Sequence, residues 1–327
     1  MEICFASLPE ILSEDLIVEK TFCITIDTEP DCDVHWKRSH PLSFESVLFG
    51  IPDILRPIWD LYNIKPVYFV SPEVINNEQC CQVLKNEIES GAEIGTHLHS
   101  EYIEPEMKYD EADGTVSSEF PCFAYSDDIE LEKIKNLTVL IKQKLNIVPT
   151  SYRAARYGAD LATIKSLEKL GYKVDSSVTP DINWSSVGGL DHSAAPKQPY
   201  FVNHENLYCP GSMKILEVPI TISKKRLRFL PDKWPFYRWL RPSHMTVFEM
   251  KMVVNEFLVN FENPVLTMMF HSMEIIPGKS PFVRTKLGQK LSLHRLEKII
   301  QYMIGKGFES KTLDMVYNET SAEKLRE

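Results

Sequence analysis

Two short runs hold side chains suited to metal-assisted hydrolysis. In Ile24-Thr25-Ile26-Asp27-Thr28-Glu29-Pro30-Asp31-Cys32-Asp33 an apolar β-like stretch ends in carboxylates, and in Glu93-Ile94-Gly95-Thr96-His97-Leu98-His99 another ends in paired imidazoles. Successive side chains along a strand alternate faces, so residues two apart point the same way. His97 and His99 therefore project together while Leu98 turns into the core, and Asp27 and Glu29 obey the same rule. Two neutral imidazoles, one carboxylate and an open position for water are what a mononuclear zinc-type hydrolase requires. Taken singly, His-x-His is more often a pair of ordinary histidines, and an acid cluster is often a turn or helix-start signal. Their shared position at strand ends gives the pair its weight.

The elements that must place these groups follow a strand-then-helix rhythm. β-rich runs at 22–27, 66–70, 92–97, 151–154, 172–176, 215–220, 265–271 and 308–313 predict strands. Helical spacing appears over 44–62, 78–90, 129–145, 159–170, 246–261 and 291–306, with Gly91 placed to stop the second helix. The stretches 101–127 and 180–211 read as irregular. Alternation of this kind implies βαβ units and a mainly parallel sheet. With about seven strands and no nucleotide fingerprint, the expected fold is α/β, a distorted (β/α) barrel over 1–327 as a single domain. In parallel barrels functional groups collect at the C-terminal strand ends. Here those ends carry Asp27, His97 and His99, Arg153, Asp175 and His271.

Composition excludes more than it selects. A chain of 327 residues can bury a large core, and a net charge of −10 with a pI near 5.5 argues against a general nucleic-acid partner. No apolar stretch reaches the length of a membrane span, and the first residues show no basic segment followed by an apolar one. The seven cysteines (4, 23, 32, 80, 81, 122, 209) are scattered and without a Cys-x-x-Cys pair, so reduced thiols and a cytoplasmic location are expected. Cys32 reads as filler rather than as a soft ligand.

Five runs in order resemble the polysaccharide deacetylases of the NodB-homology type. They are Ile26-Asp27-Thr28-Glu29, the Glu93–His99 run, Ser151-Tyr152-Arg153-Ala154-Ala155-Arg156-Tyr157-Gly158, Asp175-Ser176-Ser177-Val178-Thr179-Pro180 and Phe270-His271-Ser272-Met273-Glu274. The resemblance covers roughly 21–313 and is nearest to a bacterial subgroup associated with surface-polysaccharide and lipopolysaccharide clusters. It implies a distorted (β/α) barrel that hydrolyses acetyl groups on sugars. Residue by residue, it implies Asp27 as the general base, Arg153 as the group that orients it, and His97 and His99 as metal ligands. It further implies His271 as the general acid and Asp175 as the carboxylate supporting that histidine.

This chain departs from the family pattern in two places. The broad family sets two aspartates side by side and separates its histidines by three residues, whereas here Thr28 follows Asp27 and one residue separates His97 from His99. The carboxylate ligand is then Glu29 or Asp31, with Asp33 a poorer third choice. Glu29 shares its strand face with Asp27, while Pro30 turns the chain before Asp31. Candidate rim contacts are His35-Trp36-Lys37, Arg156 and Tyr157, and the basic, aromatic segment 224–241, a possible sugar-stacking platform, with Phe229, Trp234, Phe236, Tyr237 and Trp239.

The expectation is a cytoplasmic deacetylase acting on an N-acetyl sugar of a surface polysaccharide or its precursor. Its cofactor would be a divalent metal, zinc by ligand type, although manganese, cobalt or nickel also fit mixed imidazole and carboxylate ligation. A metal-dependent amidohydrolase on a non-sugar amide and an inactive carbohydrate-binding relative are the rival readings.

Overall fold

The computed structural model describes residues 20–109, 120–225 and 236–324. Its strands are β1 (Lys20–Thr28), β2 (Pro66–Val70), β3 (Glu93–Leu98), β4 (Ser151–Ala154), β5 (Val174–Asp175), β6 (Tyr200–Phe201), β7 (Leu216–Glu217), β8 (Ile222–Lys225), β9 (Phe236–Trp239), β10 (Val265–His271) and β11 (Phe308–Ser310). The main sheet runs β10-β1-β2-β3-β4-β5-β7, parallel throughout, with β6 antiparallel on β7 and β11 beside the start of β1. Across the gap between β7 and β10 the chain makes irregular hydrogen bonds. Thr221 N donates to Thr267 O at 3.0 Å and Met269 N to Leu240 O at 3.3 Å. The result is a curled, distorted (β/α) barrel, as the strand-helix rhythm predicts.

Period-two alternation divides each strand between two cores. Phe22, Ile24 and Ile26 of β1 are buried with Val47, Ile51 and Leu55 in the layer between sheet and helices. Cys23 joins Val67, Phe69, Leu216 and Val218 in a smaller inner cluster, to which Leu313 and Val316 of the helix Leu313–Lys324 are added. Local chemistry sets the helix ends. Asn77 accepts from Cys80 N, Asp160 with Thr163 and Thr246 with Glu249 form capping boxes, and Gly91 at φ +88° ends the helix Glu78–Glu89.

Several expected bounds shift. The 172–176 and 215–220 strands shrink to two-residue β5 and β7, because the barrel is irregular on that side. The helix over 44–62 is a wide π-helical segment (Ser46–Leu55) running into Arg56–Tyr62, with Pro52 inside the wide turns. The final run, 308–313, shortens to β11, and the helix Leu313–Lys324 that follows it is one the apolar spacing does not reveal. Segment 224–241 contributes to an antiparallel β8–β9 hairpin. Tyr237 and Trp239 there pack against the Ile182, Ile220 and Met269 cluster, so they serve packing more than a stacking platform. Phe229 and Trp234 lie outside the described residues, as do the first residues read for a leader.

Gly95 of β3 marks the tightest point of the inner wall. A Cβ there would lie 2.6 Å from Phe69 Cδ1 and 2.6 Å from Ser151 Oγ. Gly95→Ala is therefore expected to destabilise the protein by about 1–3 kcal/mol through overpacking. Gly305→Ala, which meets no atom within 4 Å, should be neutral or stabilising by up to about 1 kcal/mol. Urea denaturation midpoints of both variants check this, and a silent Gly95→Ala would contradict the packing.

Candidate functional site

The sheet register sets the expected groups next to one another. Asp27 at the end of β1 is paired with His271 at the end of β10, and His97 on β3 with Arg153 on β4. Asp27, Glu29, His97, His99 and His271 line one cavity of about 810 Å³, and all but His271 are at least nine-tenths buried. Arg153 lies behind them, fully buried. Its Nη1 donates to Asp27 Oδ1 at 2.8 Å, while Nε donates to Ser176 O at 2.8 Å and Nη2 to Ser176 Oγ at 2.9 Å. The guanidinium also stacks over the Phe69 ring, 4.4 Å from its centroid. Burial pushes the Asp27 carboxyl up, but Arg153 first, then His97 and His271, outweigh it and hold the carboxyl below its ordinary value.

Three histidines are oriented in one way. His97 Nδ1 lies 2.9 Å from Arg153 O, His99 Nδ1 2.8 Å from Glu73 Oε1, and His271 Nδ1 2.7 Å from Glu274 Oε1. Assigning the Nδ1 proton to these oxygens leaves each Nε2 facing inwards, although Arg38 Nη2 and Arg241 Nη2 also lie 3.0 Å from the Nδ1 atoms of His99 and His271. The three Nε2 atoms stand 3.1, 3.5 and 3.6 Å from one atom, Glu29 Oε1. Outer acceptors of this kind fix tautomer and ring angle in metal-ligating histidines.

Glu29, His97 and His99 offer ligand atoms within 4.8 Å of one another. The donor set of two imidazole nitrogens and one carboxylate oxygen fits a divalent cation of the zinc type, with room for a further ligand. Burial lowers the basicity of His99, but Glu73 and then Glu29 push its imidazole up to about 10. Burial raises the Glu29 carboxyl, yet His99, His97 and His271 hold it well below its ordinary range. Glu29 is thus in the ionised form a cation needs, whereas His99 would release a proton on binding one.

Asp31 is not part of this cluster. Its Oδ2 accepts from Ser43 Oγ and Glu45 N, each at 2.7 Å, and its Oδ1 from Ser46 N at 3.1 Å. It satisfies the open amides where the helical segment after Glu45 begins, so of the two carboxylates in question Glu29 is the one the fold brings to His97 and His99. Asp33 is exposed and caps a turn, its Oδ1 accepting from His35 N and Lys37 N.

Asp175 also lies apart from its expected partner. Its carboxylate accepts from Ser177 Oγ at 2.6 Å and sits beside Glu217 on β7, in register with it. Burial and then the neighbouring Asp175 push the Glu217 carboxyl well above its ordinary range, and both carboxyls are fully buried. Support for His271 comes instead from Glu274, one turn onward, which Arg241 and Ser243 hold from the other side. Burial lowers the His271 imidazole, but the bond to Glu274, then Glu29, raises it above its ordinary value.

Four residues of the arrangement have no assigned role in the sequence reading, although Glu274 ends one of the five runs and Arg241 ends the segment 224–241. Glu274 carried a signal, since a carboxylate three residues after a strand-end histidine is capping-box spacing. Glu73 also carried one, in Ser71-Pro72-Glu73 directly after β2. Arg38, which donates to Glu73 Oε1 at 2.8 Å, and Arg241, which follows β9, carried none. Trp36, Lys37, Arg156 and Tyr157, expected at a rim, do line the cavity.

No family model matches the sequence, and no curated protein matches it. Among solved structures, one from Mycobacterium smegmatis, provisionally named a polysaccharide deacetylase, superposes with a TM-score of 0.52 at 14% identity, over 98% of this chain and 94% of that one. A family 4 carbohydrate esterase from Streptomyces lividans in complex with acetate gives 0.43 at 10% identity, over 90% and 93%. A family 4 acetyl xylan esterase from Clostridium thermocellum in complex with a cobalt ion gives 0.44 at 14%, over 92% of each chain. At this identity the first likeness establishes a shared fold.

Glu29→Gln and His97→Ala are expected to abolish stoichiometric zinc uptake, measured by elemental analysis after dialysis. Asp31→Asn should keep the metal and lose about 1–2 kcal/mol of stability, read from denaturant midpoints, as a lost helix-start cap does. Zinc loss in Asp31→Asn with retention in Glu29→Gln would reverse the assignment.

Proposed function

We propose that this chain is a metal-dependent deacetylase of the polysaccharide deacetylase type, releasing acetate from an N-acetylated sugar. The observation that carries the reading is the convergence of three Nε2 atoms on Glu29 Oε1 beside an arginine-held aspartate. The fold shared with the Mycobacterium smegmatis structure and the five ordered motifs support it. Glu29, His97 and His99 would hold the cation, with zinc favoured by the donor set. When bound, the cation supplies Lewis acidity, polarising an acyl carbonyl and acidifying water.

This chain's own groups supply the proton transfers. Asp27 gives one oxygen to Arg153 and keeps Oδ2 on the cavity side, 3.9 Å from His271 Nε2. An ionised carboxylate anchored in this way is a positioned base for the attacking water. His271, with Nδ1 bound to Glu274, carries an acidic proton on Nε2 toward the same space and delivers it to the departing amine as the C–N bond breaks. Acetate and a free amino sugar result. A protein that only bound glycans would gain nothing from burying this many matched charges, whose desolvation is costly.

The surface-polysaccharide substrate, the single-domain organisation over 1–327 and the cytoplasmic setting belong to the same proposal. The last rests on cysteines 23, 32, 80, 81, 122 and 209, all free. Among the described residues no helix is long and apolar enough to cross a membrane.

Zinc-loaded protein is expected to release acetate from at least one N-acetylated hexosamine offered free, nucleotide-linked or lipid-linked. Asp27→Asn and His271→Gln should each lower kcat by about 10²-fold or more while metal content stays at the wild-type level. Loaded protein that leaves the whole panel intact, yet cleaves simple acyclic amides, would overturn the sugar reading.

A further inference from the structure

The loop between β1 and the first helical segment is built to hold one aromatic ring at the mouth of the cavity. Both of its feet are pinned. Asp31 N donates to Ser43 O at 2.8 Å and the Asp31 carboxylate binds the helix start. Arg38 reaches inward to Glu73 Oε1 at 2.8 Å and Glu29 Oε2 at 3.4 Å. Between them Cys32 bridges to Arg38, and the Asp33 side chain accepts from His35 N and Lys37 N. The turn so enforced drives Trp36 to φ +61°, a left-handed conformation that costs a non-glycine residue about 1–3 kcal/mol.

A fold governed by burial alone would tuck this indole away. Trp36 instead remains 42% exposed. Its ring meets His271 edge-on at 5.3 Å between centroids and Phe282 at 5.6 Å. It lines the same cavity as Asp27, His97 and His99. An acyl group directed at Glu29, His97 and His99 leaves its nitrogen near His271, and whatever bears that nitrogen lies next to Trp36. A pyranose ring has an apolar face of C–H groups suited to an aromatic wall, with hydroxyls left for the wet rim.

We infer that Trp36 is the stacking wall for the sugar ring that carries the acetamido group, and that it makes the site select cyclic sugar amides over acyclic ones. The inference rests on the deacetylase reading for its kinetic arm and stands apart from it in its binding arm. Acetate release from N-acetylhexosamine oligosaccharides and from N-acetylethanolamine would be compared for wild type, Trp36→Phe and Trp36→Ala. The expected result for Trp36→Ala is a KM for the sugars raised about tenfold, kcat little changed, and the acyclic amide unaffected, with Trp36→Phe in between. An unchanged sugar KM, or an equal effect on both substrates, would overturn it. Calorimetric binding of N-acetylglucosamine trimer separates the two readings. Binding without hydrolysis, lost in Trp36→Ala, overturns the deacetylase reading and supports the stacking wall. Neither binding nor hydrolysis of any sugar by wild type overturns both.

Discussion

One buried arginine organises the strand ends that form the candidate site. The Arg153 side chain holds Asp27, its own carbonyl accepts from His97, and Ser176, just past β5, receives two more of its N–H groups. A guanidinium with no exposure is tolerable only when its donors are satisfied, and removing one partner of such a pair typically costs about 3–5 kcal/mol. Arg153 thereby ties β1, β3, β4 and β5 to a common geometry. Asp27 and His97, the proposed base and a proposed metal ligand, are placed by a single residue.

The same economy governs the other two histidines. Each gives its outer hydrogen bond to a carboxylate that is itself held by an arginine, Glu73 by Arg38 and Glu274 by Arg241. Negative charge around the imidazoles is thus balanced locally, and the inward nitrogens face Glu29. A low-dielectric pocket strengthens every such interaction, and it would make any unpaired member expensive.

The acid cluster after β1 divides into two jobs. Asp27 and Glu29 lie at the strand end and face the cavity, as period-two alternation requires. Beyond Pro30 the chain leaves the strand direction, and Asp31 and Asp33 become turn builders whose carboxylates bind backbone amides. Four carboxylates within seven residues therefore divide equally between the cavity and the turns beside it. The architectural pair shapes the loop that carries Trp36 and Arg38.

Local sequence determined the strands β1, β2, β3, β4 and β10, the helices between them, and the ends at which Asp27, His97, His99, Arg153 and His271 appear. Alternation and helical spacing are local properties, and strand ends in a parallel barrel all open on one side. Tertiary structure alone decided between Glu29 and Asp31, because that choice depends on where the chain turns relative to β3. It also replaced Asp175 with Glu274 as the partner of His271. Asp175 lies on β5, several strands around the sheet from β10, whereas Glu274 needs only one turn to reach the ring. The shielding arginines Arg38 and Arg241 could not be read at all, since a guanidinium on a long side chain declares its partner only when the fold brings a carboxylate within reach.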